Sequence, residues 1–106
     1  MSKLEIMLVC SAGMSTSMLV TAMKKAIASE GIEANVFAKP STEAIEFAET
    51  EAVSVLLLGP QVLFMENNFK ENLADKNIPI AVIDSRAYGT MNGEQVLKQA
   101  LELING

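Results

Sequence analysis

The sequence contains no histidine and no tryptophan, and it holds one cysteine, one tyrosine and four phenylalanines among 106 residues. The missing histidine excludes imidazole acid–base catalysis, cysteine–histidine dyads and nearly all zinc sites. A lone cysteine excludes an internal disulfide and leaves no resolving thiol for a redox cycle. Positive charge is scarce: eight Lys and Arg stand against 13 Asp and Glu, a formal net charge of −5. With no basic run and no basic residues interleaved with the aromatics, binding to nucleic acid is not expected. No apolar run approaches the roughly 18 residues a membrane-spanning helix needs. The start of the chain, a short apolar run broken by Glu5, does not resemble a secretion signal. These absences describe a cytoplasmic protein that carries no metal and no cofactor and does not insert into the membrane.

Half of the residues are apolar, enough for the core of one domain spanning residues 1–106. Neither repeats nor linkers are visible. Apolar strand patterns alternate with helical ones. Strands are expected over residues 4–10, 33–38, 53–58 and 80–83. Helices are expected over 15–30 and 41–49, after Gly59-Pro60, and at the C-terminal end beyond a loop over 86–93. Met18, Leu19, Ala22, Met23, Ala26 and Ile27 form the apolar stripe of the first helix, and Gly31 suits its end. After Pro60 the stripe is Val62, Met65, Phe69 and Leu73. Asn92 with Gln95 three residues on marks the start of the last helix. The weak composition of the second strand suits an edge, and the apolar third strand suits a position covered on both faces. Four strands alternating with four helices imply a three-layer α/β domain with a parallel sheet and helices on both faces. In such sheets ligands bind beyond the carboxyl ends of the strands. One rim therefore collects Cys10 to Ser17, Gly59-Pro60-Gln61 and the segment from Asp84 to Gly89.

Cys10 ends the first strand and is followed by Ser11-Ala12-Gly13-Met14-Ser15-Thr16-Ser17. A short Gly/Ser/Thr loop entering a helix turns backbone N–H groups onto one point, where the helix terminus adds positive potential. Such a place favours a thiolate and cradles an anion, the two requirements for carrying a phosphoryl group on sulfur. Ser11, Ser15, Thr16 and Ser17 can donate to phosphoryl oxygens, or can cap the helix instead. Met14 either protrudes toward partners or packs in the core. Gln61 either contacts phosphate or a partner or simply starts a helix. Arg86 either steers an acidic donor or pairs with Asp84, and Tyr88 is expected to pack over the loop.

The loop resembles the phosphate loop of low-molecular-weight tyrosine phosphatases, in which a cysteine, five residues and an arginine precede Ser or Thr. Thr16 occupies the arginine position and Ser17 follows it. Without the arginine, the resemblance argues for transfer over hydrolysis, and a phosphatase-like hydrolase using Cys10 remains the alternative. Cys10-Ser11-Ala12-Gly13-Met14-Ser15-Thr16-Ser17, with Leu56-Leu57-Leu58-Gly59-Pro60-Gln61 and Ile83-Asp84-Ser85 followed by Tyr88-Gly89, is more closely similar to the lactose/cellobiose IIB components of the bacterial sugar phosphotransferase system. That resemblance spans essentially the whole chain. It implies a sheet in order 2-1-3-4, a phosphocysteine at Cys10, a IIA protein as phosphohistidine donor, and a membrane IIC permease holding the sugar on the acceptor side. It also places the protein at the membrane when docked to IIC.

Overall fold

The computed structural model describes residues 3–11 and 16–106. Strands β1 (Leu4–Cys10), β2 (Ala34–Pro40), β3 (Val55–Leu58) and β4 (Ile80–Val82) form one parallel sheet in the order β2-β1-β3-β4. The helices are α1 (Ser17–Glu30), α2 (Ser41–Thr50), α3 (Glu66–Asn72), α4 (Ser85–Gly89) and α5 (Gly93–Asn105), and 3-10 segments cover Pro60–Met65 and Ala74–Lys76. No helix among the described residues is long and apolar enough to cross a membrane.

The alternation of side chains along β1 divides the core into two layers. Ile6 and Leu8 pack with Leu19, Met23, Ala26 and Ile27 of α1, Ala87 of α4, and Val96, Leu97 and Ala100 of α5. Met7 and Val9 pack on the opposite face with Ala44 and Ala48 of α2, Val62, and Phe69 and Leu73 near α3. Every residue from Ile6 to Cys10 and from Val55 to Leu58 is fully buried. That explains why these two stretches read as unbroken apolar runs. As expected, β2 is an edge strand: it pairs only with β1.

The other edge, β4, is closed by a side chain. The Gln99 amide of α5 donates to the Val82 carbonyl at 2.9 Å and accepts from the Asp84 N–H at 3.2 Å. It stands in for one residue of a neighbouring strand, which blunts an otherwise open edge.

Three local expectations are corrected. The segment over 86–93 is not all loop, because Ser85–Gly89 winds into α4, with Asp84 as its N-cap. The helix expected after Pro60 is split: a 3-10 segment runs to Met65, with Val62 at non-helical angles, before α3 begins. Val62 thereby reaches the core while Leu63 and Phe64 stay exposed. Met18 is 68% exposed and leaves the stripe of α1, whose buried residues are Leu19, Met23, Ala26 and Ile27. The ends of the first helix and of strands two, three and four differ by one or two residues from those expected.

Candidate functional site

Cys10 is the last residue of β1 and is fully buried. It shares strand parity with Ile6 and Leu8, so its side chain falls on the α1 face of the sheet; a one-residue change of register would move it to the other face. There it meets the start of α1. Thr16, the N-cap residue of that helix, donates its hydroxyl to Cys10 Sγ at 3.4 Å. Thr16 is fully buried, the one polar side chain so placed among the described residues. It makes no side-chain capping bond to the helix backbone. Of the two roles expected for the loop hydroxyls, Thr16 does not take that of helix cap, because its hydroxyl is directed at sulfur. Residue order does not disclose this contact, since both N-caps and thiol partners are drawn from the same small hydroxyl residues.

Ser11 and Ser17 flank the site and are exposed. Ala12, Gly13, Met14 and Ser15, the middle of the expected phosphate loop, lie outside the described residues.

The second rim segment follows β3. Gly59 continues the sheet, its N–H donating to the Val9 carbonyl at 2.8 Å. A Cβ on Gly59 would stand 2.7 Å from Gln61 Oε1 and 3.2 Å from the Val9 carbonyl oxygen. Glycine is therefore what lets Gln61 fold back against the ends of β1 and β3. From there Gln61 donates through Nε2 to the Tyr88 hydroxyl at 2.8 Å. This bond ties the rim segment after β3 to α4. Sequence reasoning singled out both residues and missed that they are partners, since 27 positions separate them.

The third segment is α4. The Asp84 carboxylate accepts from the Ala87 N–H at 3.0 Å and so caps this helix. Asp84 forms no ion pair with Arg86 among the described residues, where Lys70–Glu66 is the pair present. Arg86 is exposed on the rim. No cluster of three or more Cys, Asp or Glu side chains suited to a metal ion occurs among the described residues. The rim therefore offers a buried sulfur at a helix N-terminus, a hydroxyl on that sulfur, an amide–phenol pair bridging the neighbouring segments, and one exposed guanidinium.

Comparison with known proteins accords with this arrangement. Residues 5–99 match the family model described as the PTS system, Lactose/Cellobiose specific IIB subunit. The chain is 39% identical over 100 residues to the PTS system oligo-beta-mannoside-specific EIIB component of Bacillus subtilis, covering 94% of this chain and 95% of that one. It is 40% identical over 103 residues to the PTS system cellobiose-specific EIIB component of Lactococcus lactis, with the same coverage. Among solved structures, the cellobiose-specific phosphotransferase IIB component of Borrelia burgdorferi superposes with a TM-score of 0.79 at 41% identity, covering 98% of this chain and 94% of the other. The lactose-specific IIB domain of Streptococcus pneumoniae superposes with a TM-score of 0.84 at 14% identity, covering 95% and 97% of the two chains, which speaks to the fold alone. These relatives do not favour the hydrolase alternative. The chain belongs to the lactose/cellobiose-specific IIB subunits of the phosphotransferase system, phosphotransferases that move a phosphoryl group during sugar uptake.

Proposed function

We propose that Cys10 is the phosphocysteine of this IIB subunit. It receives the phosphoryl group from a phosphohistidine on a IIA protein and passes it to a sugar held by a membrane IIC permease. In the first step Sγ attacks phosphorus, the S–P bond forms, the N–P bond breaks, and its electron pair stays on the imidazole. In the second a sugar hydroxyl oxygen attacks phosphorus, the O–P bond forms, the S–P bond breaks, and the thiolate returns while the hydroxyl proton leaves to solvent. The observation that carries this reading is the placement of Sγ at the end of a buried strand against the N-terminus of α1. A helix N-terminus presents N–H groups and positive potential to a phosphoryl group. The phosphoryl oxygens are held by the loop of Ser11, Ala12, Gly13, Met14, Ser15, Thr16 and Ser17. Arg86 is the exposed cation on the same rim and suits an anionic phosphohistidine. The protein works in the cytoplasm and meets the membrane through IIC. Its sugar is a β-linked saccharide of the cellobiose, lactose or mannoside kind, the class that the names of the relatives share in part.

The test is incubation with phosphoenolpyruvate, the general phosphotransferase proteins and candidate IIA proteins, followed by intact-mass and peptide mass spectrometry. One phosphate on Cys10, absent from Cys10→Ser, is the expected result. Phosphate on another residue, or none with any IIA, overturns the reading. A small aryl phosphate tests the hydrolase alternative, and no turnover is expected.

A further inference from the structure

We propose that the outer edge of β4 is a pairing surface for a second copy of this chain, and that Gln99 keeps it shut. With the Gln99 amide withdrawn, two β4 strands join antiparallel across a two-fold axis. The proposal is independent of the role of Cys10.

The register fixes which backbone groups lie on that edge. The Pro79 carbonyl accepts from the Leu56 N–H at 2.9 Å, and the Ile83 N–H donates to the Leu58 carbonyl at 2.8 Å. Pro79, Ala81 and Ile83 therefore turn their backbone groups to β3. The alternate residues Ile80 and Val82, followed by the Asp84 N–H, turn theirs outward. Among the described residues no strand pairs on that side. Gln99 takes the Val82 carbonyl and the Asp84 N–H. The Ile80 N–H and carbonyl and the Val82 N–H are left facing out.

No other side chain guards this edge in the ways edges are commonly guarded. At the opposite edge, β2 ends on Lys39 and Pro40, a charge and a residue with no donor. The stretch from Ile78 to Ile83 carries no charge, and Ile78 to Val82 are only half-buried. Pro79 removes no donor from the outer side, because its backbone faces β3. An uncharged edge guarded by one amide is open to pairing once that amide is gone.

Symmetry names the partner. Antiparallel pairing centred on Ala81 sets Ile80 opposite the partner's Val82, and Val82 opposite the partner's Ile80. Each pair then exchanges both of its N–H···O bonds. A two-fold contact draws the same groups from both copies. The Val82 carbonyl is one of them, and it is the carbonyl to which Gln99 donates. While that bond stands, neither pair completes its exchange.

The experiment compares the unchanged chain with Gln99→Ala and Gln99→Lys. It uses sedimentation over a concentration series and amide hydrogen exchange read residue by residue by NMR. Alanine keeps α5 helical and uncovers the edge; lysine puts a charge on it. In Gln99→Ala the mass rises toward twice that of one chain with concentration, and exchange at the Ile80 and Val82 amides slows about tenfold, as new hydrogen bonds there require. The unchanged chain and Gln99→Lys stay single over the same range. Three results overturn the proposal: Gln99→Ala that stays single; association that leaves the Ile80 and Val82 amides unchanged, which places the contact elsewhere; and equal association of Gln99→Lys or of the unchanged chain.

Discussion

The N-terminus of α1 and those of α4 and α5 lie on the same face of the sheet and use their capping residues in opposite ways. Asp84 and Asn92 turn their side chains back onto the helices they start, accepting from Ala87 and Gln95 N–H groups at 3.0 and 3.1 Å. Thr16 turns its side chain away from its helix and onto Cys10 Sγ. The first two ends are closed by their own side chains, and the third is arranged around a sulfur. A helix terminus closed by its own cap and one turned to a thiol are built from similar small polar residue types. What separates them is the neighbour: α1 begins against Cys10 at the end of β1, whereas α5 begins against the middle of α1.

Replacement of the sulfur should break this comparison most sharply. Cys10→Ser keeps the strand and the helix and is expected to take up no phosphate at all by mass spectrometry, since a serine hydroxyl is a weak nucleophile without an adjacent base. Substitution at the start of α5 should act on stability alone. Gly93 presses against α1, and a Cβ there would stand 2.5 Å from the carbonyl atoms of Ala22 and 2.7 Å from Met23 N. Gly93→Ala forces the two helices apart and is expected to cost about 1–3 kcal/mol in denaturant unfolding, as overpacking does. Asn92→Ala removes a cap and should cost about 1 kcal/mol, with phosphate uptake by Cys10 unchanged. A loss of phosphorylation in Asn92→Ala beyond its loss of folded protein would blur the distinction between the two kinds of terminus. The smallest effect belongs to Tyr88→Phe, which removes the exposed bond from Gln61 and is expected to cost about 0.5–1 kcal/mol. A large fall in phosphoryl transfer by Tyr88→Phe would instead make the bridge between the rim segments part of the reaction.

The sequence disclosed more of the frame than of the contacts. β1 and β3 were legible because the stretches covered on both faces, Ile6 to Cys10 and Val55 to Leu58, are apolar at every position, and the first strand ended where the thiol stood. Gly31 was legible as the end of α1 because its positive φ of 68° is one that glycine adopts without strain. Asn92 was legible as a cap because its partner lies three residues away. α4 was not, since a helix of five residues has too few positions to show a period. Met18 looked like core by spacing, yet at the first turn of α1 it projects beyond the layer that covers the sheet. Gln61 and Tyr88 were each noticed on the rim, but their hydrogen bond joins segments brought together only by the β3–β4 pairing. Gln99 gave no signal at all, because its amide is defined by an open strand edge that exists only once α5 has docked.

The sequence by itself determined a parallel α/β domain, a lone thiol at the carboxyl end of a central strand, and a family whose motif surrounds that thiol. These are local or periodic features, and short-range sterics and burial write them directly into residue order. The tertiary structure alone decided that the Thr16 hydroxyl goes to sulfur instead of to its own helix, and that Gln61 meets Tyr88 across the rim. Side-chain hydrogen bonds of this kind are chosen among several nearby partners, and the choice is made by how α1 and the segment after β3 settle against the ends of β1 and β3.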